Sequence, residues 1–326
     1  MEPRDTQSVA EKHISAQIPE SLAGERLDLV LVHLFPDYSR SRLQKWIKDG
    51  QVTVNQQKRR AKDTVFGGET VELTVALMEE TQWQAQELPL DIVYEDEYVI
   101  VINKPSGFVV HPGAGNVDGT LGNALLHRFP ELEWVPRAGV VHRLDKDTTG
   151  LLVVARNLVA QKSLVEQLQA RAFEREYKAL VVGVMTAGGT VDEPIGRHPS
   201  QRTKMAVVHN GKEAVTHYRV LERFRAHTLV KLNLQTGRTH QIRVHMAFMH
   251  YPLVGDPLYG GRLKIPAGCS PHFAQTLRQF KRQALHACRL GFLHPHSHEL
   301  MAWEAPLPSD MEQLVAAARE DAGADR

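Results

Sequence analysis

The chain contains 326 residues, of which 42% are hydrophobic and 24% are charged, and its net charge is +1. This composition is typical of a soluble globular protein, and the length predicts one large and one small domain. The two cysteines, Cys269 and Cys288, exclude a framework of disulfide bonds and fit a reducing cytoplasm. We find no secretory signal in the polar first residues and no apolar run of the about 18 residues that a membrane helix needs. The sequence therefore predicts a cytoplasmic protein without a membrane segment, in which any binding of nucleic acid depends on local basic surfaces.

The chain begins with residues 1–18, which we predict to be a flexible tail, and continues into a strongly basic segment. Residues 26–62 contain nine basic and three acidic residues, so their local net charge is +6. The pattern indicates helix, helix, strand and strand, with Ser39 or Ser41 as the expected cap of the second helix. We therefore predict a small α/β domain over residues 19–78.

The basic residues of this domain have two interpretations. They form either a solvated helix face, as most exposed charges do, or a surface that binds the phosphates of a nucleic acid. Because a basic helix and the run Lys58-Arg59-Arg60 occur in one compact module, we favour nucleic-acid binding. The segment from Arg26 to Val75 also resembles the S4 domain, a small RNA-binding module of ribosomal proteins and RNA-modifying enzymes. The expected RNA contacts in it are Arg40, Arg42, Lys45 and Arg59.

A larger domain is predicted over residues 90–326, after a polar linker at 79–89 and with a polar tail at its carboxyl end. Residues 99–102 form a continuous apolar run, which is typical of a strand buried on both faces. Further strands follow, with a helix capped by Asn157, but β and α elements do not alternate strictly and no glycine-rich phosphate fingerprint occurs. This pattern predicts an α+β domain with a mixed, largely antiparallel central sheet and flanking helices.

The most informative segment is the sequence VHRLDKDTTG, which ends at Gly150 and precedes an apolar strand. Its carboxylate Asp145 lies in a loop beside three basic side chains, those of His142, Arg143 and Lys146. Nearby cations favour the ionised form of a carboxylate. We therefore predict that Asp145 is a catalytic carboxylate rather than a structural one.

Two other kinds of site are less well supported by the sequence: a pair of glycosidase carboxylates and a metal site. Asp145 and Asp147 could form the carboxylate pair of a glycosidase, but the sequence shows no apolar pocket that would keep one of them protonated. We assign Asp147 to bracing the loop. A set of histidines and one cysteine near the carboxyl end lacks the usual zinc spacings, so we predict no metal. Its members are His286, Cys288, His294, His296 and His298.

A second segment, LQTGRTHQIRVH, begins at Leu234 and is typical of a strand, a tight turn and a helix. The turn puts Arg238 at the start of the helix, where the free backbone amides also attract anions. An arginine there can hold a carboxylate through two hydrogen bonds, whereas the alternative is an ordinary surface arginine. Taken with the Asp145 segment, Arg238 is predicted to hold Asp145 ionised and fixed.

A third candidate is Tyr177, in the sequence REYKAL at the start of a predicted strand. A tyrosine at this position could stack on a nucleic-acid base and offer its hydroxyl to it. The alternative is an ordinary tyrosine of a β-sheet.

These segments together resemble the pseudouridine synthase family of the RluA/RluD type, from about Ala23 to Leu307. The matching segments also include NKP at 103–105, HPGAG at 111–115 and GDPLYG at 255–260. With the S4-like domain and residues 192–207, the nearest subgroup is that of the D-type large-subunit enzymes.

The resemblance implies the pseudouridine synthase fold and an enzyme that isomerises uridines of large-subunit ribosomal RNA, either free or in a pre-ribosomal particle, without a cofactor. In it, Asp145 is the essential carboxylate, acting on an extruded base; Arg238 orients Asp145, and Tyr177 packs on the uracil and assists loss of the C5 proton. The expected contacts with flanking phosphates are Arg143, Arg197, Arg202, Lys204 and Arg243.

We predict a monomer. The competing hypothesis is a non-catalytic RNA-binding ribosome-assembly factor. It accounts for the S4-like domain but leaves Asp145, Arg238 and Tyr177 without a purpose.

Overall fold

The computed structural model describes residues 11–36, 38, 40–76, 83–113, 116–201 and 203–323. The predicted cap Ser39 and the predicted RNA contact Arg202 lie outside the described residues, as do residues 1–10 of the predicted tail and part of the predicted linker.

The amino-terminal part of the described chain forms a small α/β unit around a four-stranded sheet of order β1-β4-β2-β3. Leu43, Trp46 and Ile47 of its second helix are buried, as their spacing predicts. Its elements are β1 (Glu11–Gln17), α1 (Leu27–Leu34), α2 (Arg40–Lys48), β2 (Val52–Val54), β3 (Gln57–Lys58) and β4 (Thr70–Ala76).

The prediction of a flexible tail over residues 1–18 is wrong for its second part. Residues 11–17 form β1, which pairs antiparallel with β4 along its whole length. Ile14 and Ala16 pack against the core of the small unit, and Ile18 directly after them is 1% exposed. Three apolar residues at alternate positions among polar ones are too weak a pattern to distinguish an edge strand from a tail.

The remaining described residues form a nine-stranded sheet, with a separate two-stranded sheet beside it. Eight strands of the large sheet follow the order β5-β6-β7-β14-β8-β13-β12-β9, and β15 pairs with β14. The elements are β5 (Ile92–Glu95), β6 (Val99–Lys104), α3 (Leu121–Arg128), β7 (Thr149–Ala155), α4 (Leu158–Gln169), β8 (Glu174–Val182), β9 (Gly189–Asp192), β10 (Ile195–Arg197), β11 (Met205–Val207), β12 (Val215–Arg223), β13 (His227–Leu234), α5 (Gln241–Phe248), α6 (Pro271–Gln279), β14 (Leu285–Leu293), β15 (Leu300–Glu304) and α7 (Ser309–Gly323).

The sheet is mixed and largely antiparallel, as predicted from the sequence. Strand β14 pairs in parallel with β7 and antiparallel with β8, so it lies between two strands that precede it in the chain. Gly150 makes the parallel pairing possible: its φ is +110°, and a Cβ there would lie 2.2 Å from the carbonyl oxygen of Ala287. A side chain at position 150 would therefore push β7 and β14 apart.

The core of the large domain occupies both faces of the central strands. On β6, Ile100 and Ile102 pack into one apolar cluster, whereas Val99 and Val101 pack into another on the opposite face. All seven residues of β7 are buried. The continuous apolar runs thus mark strands covered on both faces, which confirms the prediction made for residues 99–102.

The predicted linker at 79–89 is not a free connection where the structure describes it. Trp83 packs against the core of the large domain and stacks on His111, with ring centroids 6.2 Å apart. The backbone N–H of Gln86 donates to the carbonyl of Asn123 at 3.0 Å. Residues from 83 onward therefore belong to the surface of the large domain, a packing that a polar sequence without periodicity does not reveal.

Two buried histidines make the fold sensitive to acid. His227 and His286 are 2% and 1% exposed, and burial lowers the pKa of each from 6.5 to about 4. The unfolded chain takes up these protons near pH 6.5 and the folded chain only near pH 4, so stability is fully present above pH 6.5 and is lost as the pH falls toward 4.

Between pH 7 and pH 5 we expect each of these histidines to lower the free energy of unfolding by about 2 kcal/mol, as measured by urea unfolding. His286→Gln is the matched variant, because an amide can replace the ring in its contacts with the Thr149 hydroxyl and the Ala305 carbonyl. This variant should lose about 2 kcal/mol less over the same interval. An equal loss in both proteins would contradict the assignment.

Candidate active site

A pocket of about 620 Å³ opens at the carboxyl end of the loop that precedes β7. Asp145, Tyr177 and Arg238, the three residues predicted to be catalytic, all line it. Among the residues that line this pocket, Asp145 is the one acidic side chain, and six of the others are arginines. These are Arg137, Arg143, Arg171, Arg175, Arg238 and Arg243. An enclosed carboxylate in a strongly cationic pocket suits a polyanionic ligand that brings its own charge.

A carboxylate–arginine–carboxylate chain fixes Asp145. Arg243 donates from Nη1 to Oδ2 of Asp145 at 2.9 Å, and from Nε and Nη2 to the two carboxylate oxygens of Asp256 at 2.8 and 2.9 Å. The Arg243 side chain is 5% exposed, that of Asp145 16% and that of Asp256 0%. Asp256 also accepts the backbone N–H groups of Leu258 and Tyr259. One guanidinium thus joins the pocket carboxylate to a fully buried anchor.

The prediction that Arg238 holds Asp145 is wrong, and Arg243, which was predicted to contact an RNA phosphate, is the arginine that pairs with Asp145. Arg238 donates from Nε to the carbonyl oxygen of Glu213 at 2.9 Å, whereas Arg243 makes the ion pair with Asp145. Arg243 lies in the first turn of α5, and both of its edges are occupied by carboxylates. The two arginines are five residues apart, one in a turn and one at the start of a helix. The sequence alone cannot show which of them pairs with Asp145, because the directions of both side chains depend on the conformation of the turn.

The three basic residues of the Asp145 loop, which were expected to surround this carboxylate, do not form an ion pair with it. The backbone N–H of Val153 donates to Nε2 of His142 at 3.1 Å, which requires an unprotonated nitrogen there. Burial lowers the pKa of His142 to about 3, so the ring is neutral. The side chains of Arg143 and Lys146 are exposed. The counter-charge of Asp145 therefore comes from Arg243, which is distant in sequence.

Three buried side chains support the loop of Asp145 through hydrogen bonds. The Lys104 ammonium, which is 0% exposed, donates to the carbonyls of Pro105, Phe108 and Lys146 at 2.8, 3.0 and 2.8 Å. Burial lowers the pKa of Lys104 to about 7.

The other two supports come from residues just before β14. Arg282 donates to the carbonyl of Asp147 at 3.3 Å, and Gln283 donates to the Thr148 hydroxyl at 3.0 Å. Asp147 lines a separate cavity of about 400 Å³ and not the pocket of Asp145. The two acids therefore do not form a pair across one site, and the loop is braced through the backbone of Asp147.

Tyr177 forms part of the pocket wall on β8. Its side chain is 6% exposed and packs in the main apolar cluster of the large domain. Burial raises the pKa of Tyr177 to about 12, with the Asp145 charge acting in the same direction. The phenol is therefore neutral near pH 7, and it offers a flat apolar ring and a hydroxyl rather than a base.

A chain of polar contacts leads from the pocket-lining His240 to Tyr259 and Met205. The Tyr259 hydroxyl accepts the backbone N–H of Met205 at 2.9 Å and lies 2.8 Å from Nδ1 of His240. Nε2 of the same ring lies 3.9 Å from Oδ1 of Asp145, so His240 joins this chain to the pocket carboxylate. His240, Tyr259 and Asp256 were not predicted as site residues, although His240 lies in the quoted segment LQTGRTHQIRVH and the other two lie in GDPLYG.

The other predicted RNA contacts are placed as follows. Arg197 and Lys204 lie on or beside the two-stranded sheet and do not line the pocket. In the small domain, Arg40 pairs with the buried Asp28 at 2.6 Å and Arg59 pairs with Glu69 at 2.8 Å, so both cations are partly neutralised. Arg42 lies over the ring of Trp46, 5.5 Å from its centroid, and Lys45 is exposed.

The residues of the histidine-rich segment have other partners. His294 contacts Asp96 at 2.9 Å, and His296 stacks on Tyr98 with ring centroids 4.7 Å apart. Across the described ranges, no group of three or more His, Cys, Asp or Glu side chains is arranged to bind a metal ion. The same ranges contain no helix with the length and apolar character that crossing a membrane requires.

Comparison with known proteins assigns the class. Residues 98–248 match the family model of the RNA pseudouridylate synthases, and residues 25–71 match that of the S4 domain. The structures of the human proteins RNA Pseudouridylate Synthase Domain Containing 4 and Domain Containing 1 are similar, each with 28% sequence identity and with TM-scores of 0.55 and 0.52. They cover 70% and 72% of this chain, and 93% and 96% of their own.

Curated relatives are similar over nearly the whole chain. The ribosomal large subunit pseudouridine synthase D of Xanthomonas campestris is 58% identical over 306 residues, which are 94% of this chain and 92% of the relative. The enzyme of the same name from Yersinia pestis is 58% identical over 309 residues, which are 94% of this chain and 95% of the relative. The chain belongs to the RNA pseudouridylate synthase family and carries an S4 domain at its amino-terminal end.

Proposed function

We propose that this chain isomerises uridines of large-subunit ribosomal RNA to pseudouridine, with Asp145 as the essential carboxylate. The substrate follows from relatives that are named as ribosomal large subunit enzymes and are 58% identical. The observation that carries the role of Asp145 is its position as the one acid lining an arginine-rich pocket, held by Arg243.

The chemistry needs no oxidant, reductant or energy source. The bond between N1 of uracil and C1′ of the ribose breaks, the base turns, and C5 bonds to C1′; C5 loses a proton and N1 gains one. A carboxylate kept ionised and fixed can begin this rearrangement. The Arg243 guanidinium supplies the counter-charge of Asp145 after the RNA has displaced water from the pocket.

The uracil must leave its stack to reach Asp145, as with other enzymes that react on a base. We propose that the Tyr177 ring packs on the extruded uracil. Because burial keeps the phenol neutral, we assign Tyr177 to stacking and hydrogen bonding rather than to removal of the C5 proton. Arg143 and Arg238 line the pocket without a carboxylate partner among the described residues and are proposed to contact the RNA.

We further propose that the chain acts as a monomer in the cytoplasm. One chain supplies Asp145, Tyr177 and Arg243 to the pocket, and the relatives are named as enzymes of the ribosomal large subunit. We place the domain boundary between residues 76 and 83, with the S4 domain before it and the synthase domain after it.

Mapping of pseudouridines in ribosomal RNA from cells with and without the gene tests the function: modified positions that are lost without the gene support it. An unchanged map would refute it.

The S4 domain is proposed to add affinity for RNA rather than chemistry. Lys48, Lys58 and Lys62 are exposed there and form no ion pair with any residue that the structure describes. We expect the triple glutamine variant at these positions to bind RNA more weakly and to reduce the slope of log affinity against log salt by up to about 2. The rate at saturating RNA should change little. Filter binding at several salt concentrations measures the slope, and an unchanged slope would contradict this role.

A further inference from the structure

One arginine of the pocket is buried but has no carboxylate. Arg175 lies on β8 two residues before Tyr177, so both side chains are on the same face of the strand, and both line the pocket. The residue is only 9% exposed. Within the part of the chain that the structure describes, it forms no ion pair, and Nε is buried without a hydrogen-bond partner.

The hydrogen bonds that Arg175 does make are weak. Nη2 donates to the carbonyls of Leu234 and Gln235 at 3.3 and 3.5 Å, which are long for bonds of this type. No protein acceptor within the described ranges is bonded to Nη1. Two other buried arginines are different: Arg243 pairs with Asp145 and Asp256, and Arg282 pairs with Asp310 through two bonds of 2.7 and 2.8 Å.

A buried cation without a counter-charge is costly, because it loses hydration without gaining an equivalent partner. Burial lowers the pKa of Arg175, but a guanidinium does not give up its proton in a protein. An anionic ligand that enters the pocket would offset this cost, because it would pair with the buried charge. The missing partner of Arg175 is therefore an anion.

Space for that anion is provided by Gly237. A Cβ at this position would lie 2.8 Å from Nη1 of Arg175, closer than real Cβ contacts. Gly237 does not have a positive φ, so its backbone conformation does not require a glycine. The effect of the glycine is therefore the space that the missing side chain leaves in front of the Arg175 guanidinium. The glycine leaves Nη1 open toward the pocket.

We propose that Arg175 binds a phosphate group of the RNA inside the pocket. The inference rests on the proposed function, since it requires a nucleotide chain entering toward Asp145. Phosphates are the anionic groups of RNA near neutral pH, whereas the edges of uracil are neutral and would leave the charge of Arg175 uncompensated. Cα atoms two apart on a strand are separated by about 6–7 Å, so Arg175 is placed to hold the backbone beside a base packed on Tyr177.

The test uses a stem-loop RNA that contains a uridine identified by the mapping experiment proposed above, with one phosphate at a time replaced by an uncharged methylphosphonate. We expect Arg175→Met to lower kcat/KM by about 10- to 100-fold, the effect of one charge-assisted hydrogen bond. One methylphosphonate should lower the wild-type value by a similar factor and have no further effect in Arg175→Met. Arg219→Met, which removes an exposed charge outside the pocket, should act like wild type toward every methylphosphonate.

Thermal unfolding separates binding from a structural role. Arg175→Met should melt at or above the temperature of the wild type, because it removes an uncompensated buried charge. Arg282→Met, at a buried arginine with a carboxylate partner, should melt lower. Three results would each overturn the phosphate assignment. The first is a melting temperature of Arg175→Met below that of the wild type, and the second is a kcat/KM of this variant within about twofold of the wild type. The third is that every methylphosphonate lowers kcat/KM by the same factor in Arg175→Met as in the wild type. A wild-type chain that modifies no uridine would instead refute the proposed function.

Discussion

Asp145→Asn is expected to lower the rate of pseudouridine formation by at least about 10,000-fold, whereas RNA affinity stays close to that of the wild type. The substitution removes the charge that we propose begins the reaction but keeps an oxygen that can accept the hydrogen bond of Arg243. Arg243 also retains Asp256 as its buried partner, so the fold should persist. Release of tritium from RNA labelled at C5 of uridine measures the rate.

Asp147→Asn is the matched control for this result. Asp147 lies in the same loop, but it lines the other cavity, and its backbone carbonyl rather than its carboxylate is held by Arg282. Its variant should keep most of the wild-type rate. Substantial turnover by Asp145→Asn, or an equal loss in both variants, would contradict the assignment of Asp145.

Arg243→Met is expected to damage stability and activity together. It leaves Asp256 fully buried and without its cation, which costs about 3–5 kcal/mol in the free energy of unfolding. It also removes the counter-charge of Asp145, for which we expect a fall in kcat of about 100- to 1000-fold. Urea unfolding and tritium release measure the two effects on the same preparation.

The double variant Arg243→Met/Asp256→Asn separates these two effects. With a neutral amide at position 256, the buried charge is gone, so most of the lost stability should return. Activity should remain low, because Asp145 still lacks its partner. Recovery of the rate along with stability would show that Arg243 acts only on the fold.

The sequence predicted the elements that carry strong periodicity and the loop that carries the acid. The continuous apolar runs of β6 and β7 indicated buried strands, and the mixed sheet followed from the lack of β–α alternation. The edge strand β1 was missed because it has few apolar residues. The stacking of Trp83 on His111 was missed because a tryptophan in a polar segment does not indicate which residue it packs against.

Within the site, the residue types were predictable and the pairings were not. Asp145 and Tyr177 line one pocket as expected, but the ion pair of Asp145 is with Arg243 rather than with Arg238. The choice depends on the turn at residues 236–240, where His240 has a φ of +57°, and on Asp256, which fixes the other edge of Arg243. Neither constraint is visible in local sequence, because each arises from contacts between distant segments.

The position of β14 between β7 and β8 has a consequence for synthesis on the ribosome. Asp145 precedes β7, Tyr177 is on β8, and the two strands are joined through a strand that leaves the ribosome more than a hundred residues after β8 begins. Arg282 and Gln283, which support the loop of Asp145, arrive just before that strand. A nascent chain therefore exposes the edges of β7 and β8 that β14 later covers, and the loop of Asp145 gains these supports only after residues 282–293 have been translated.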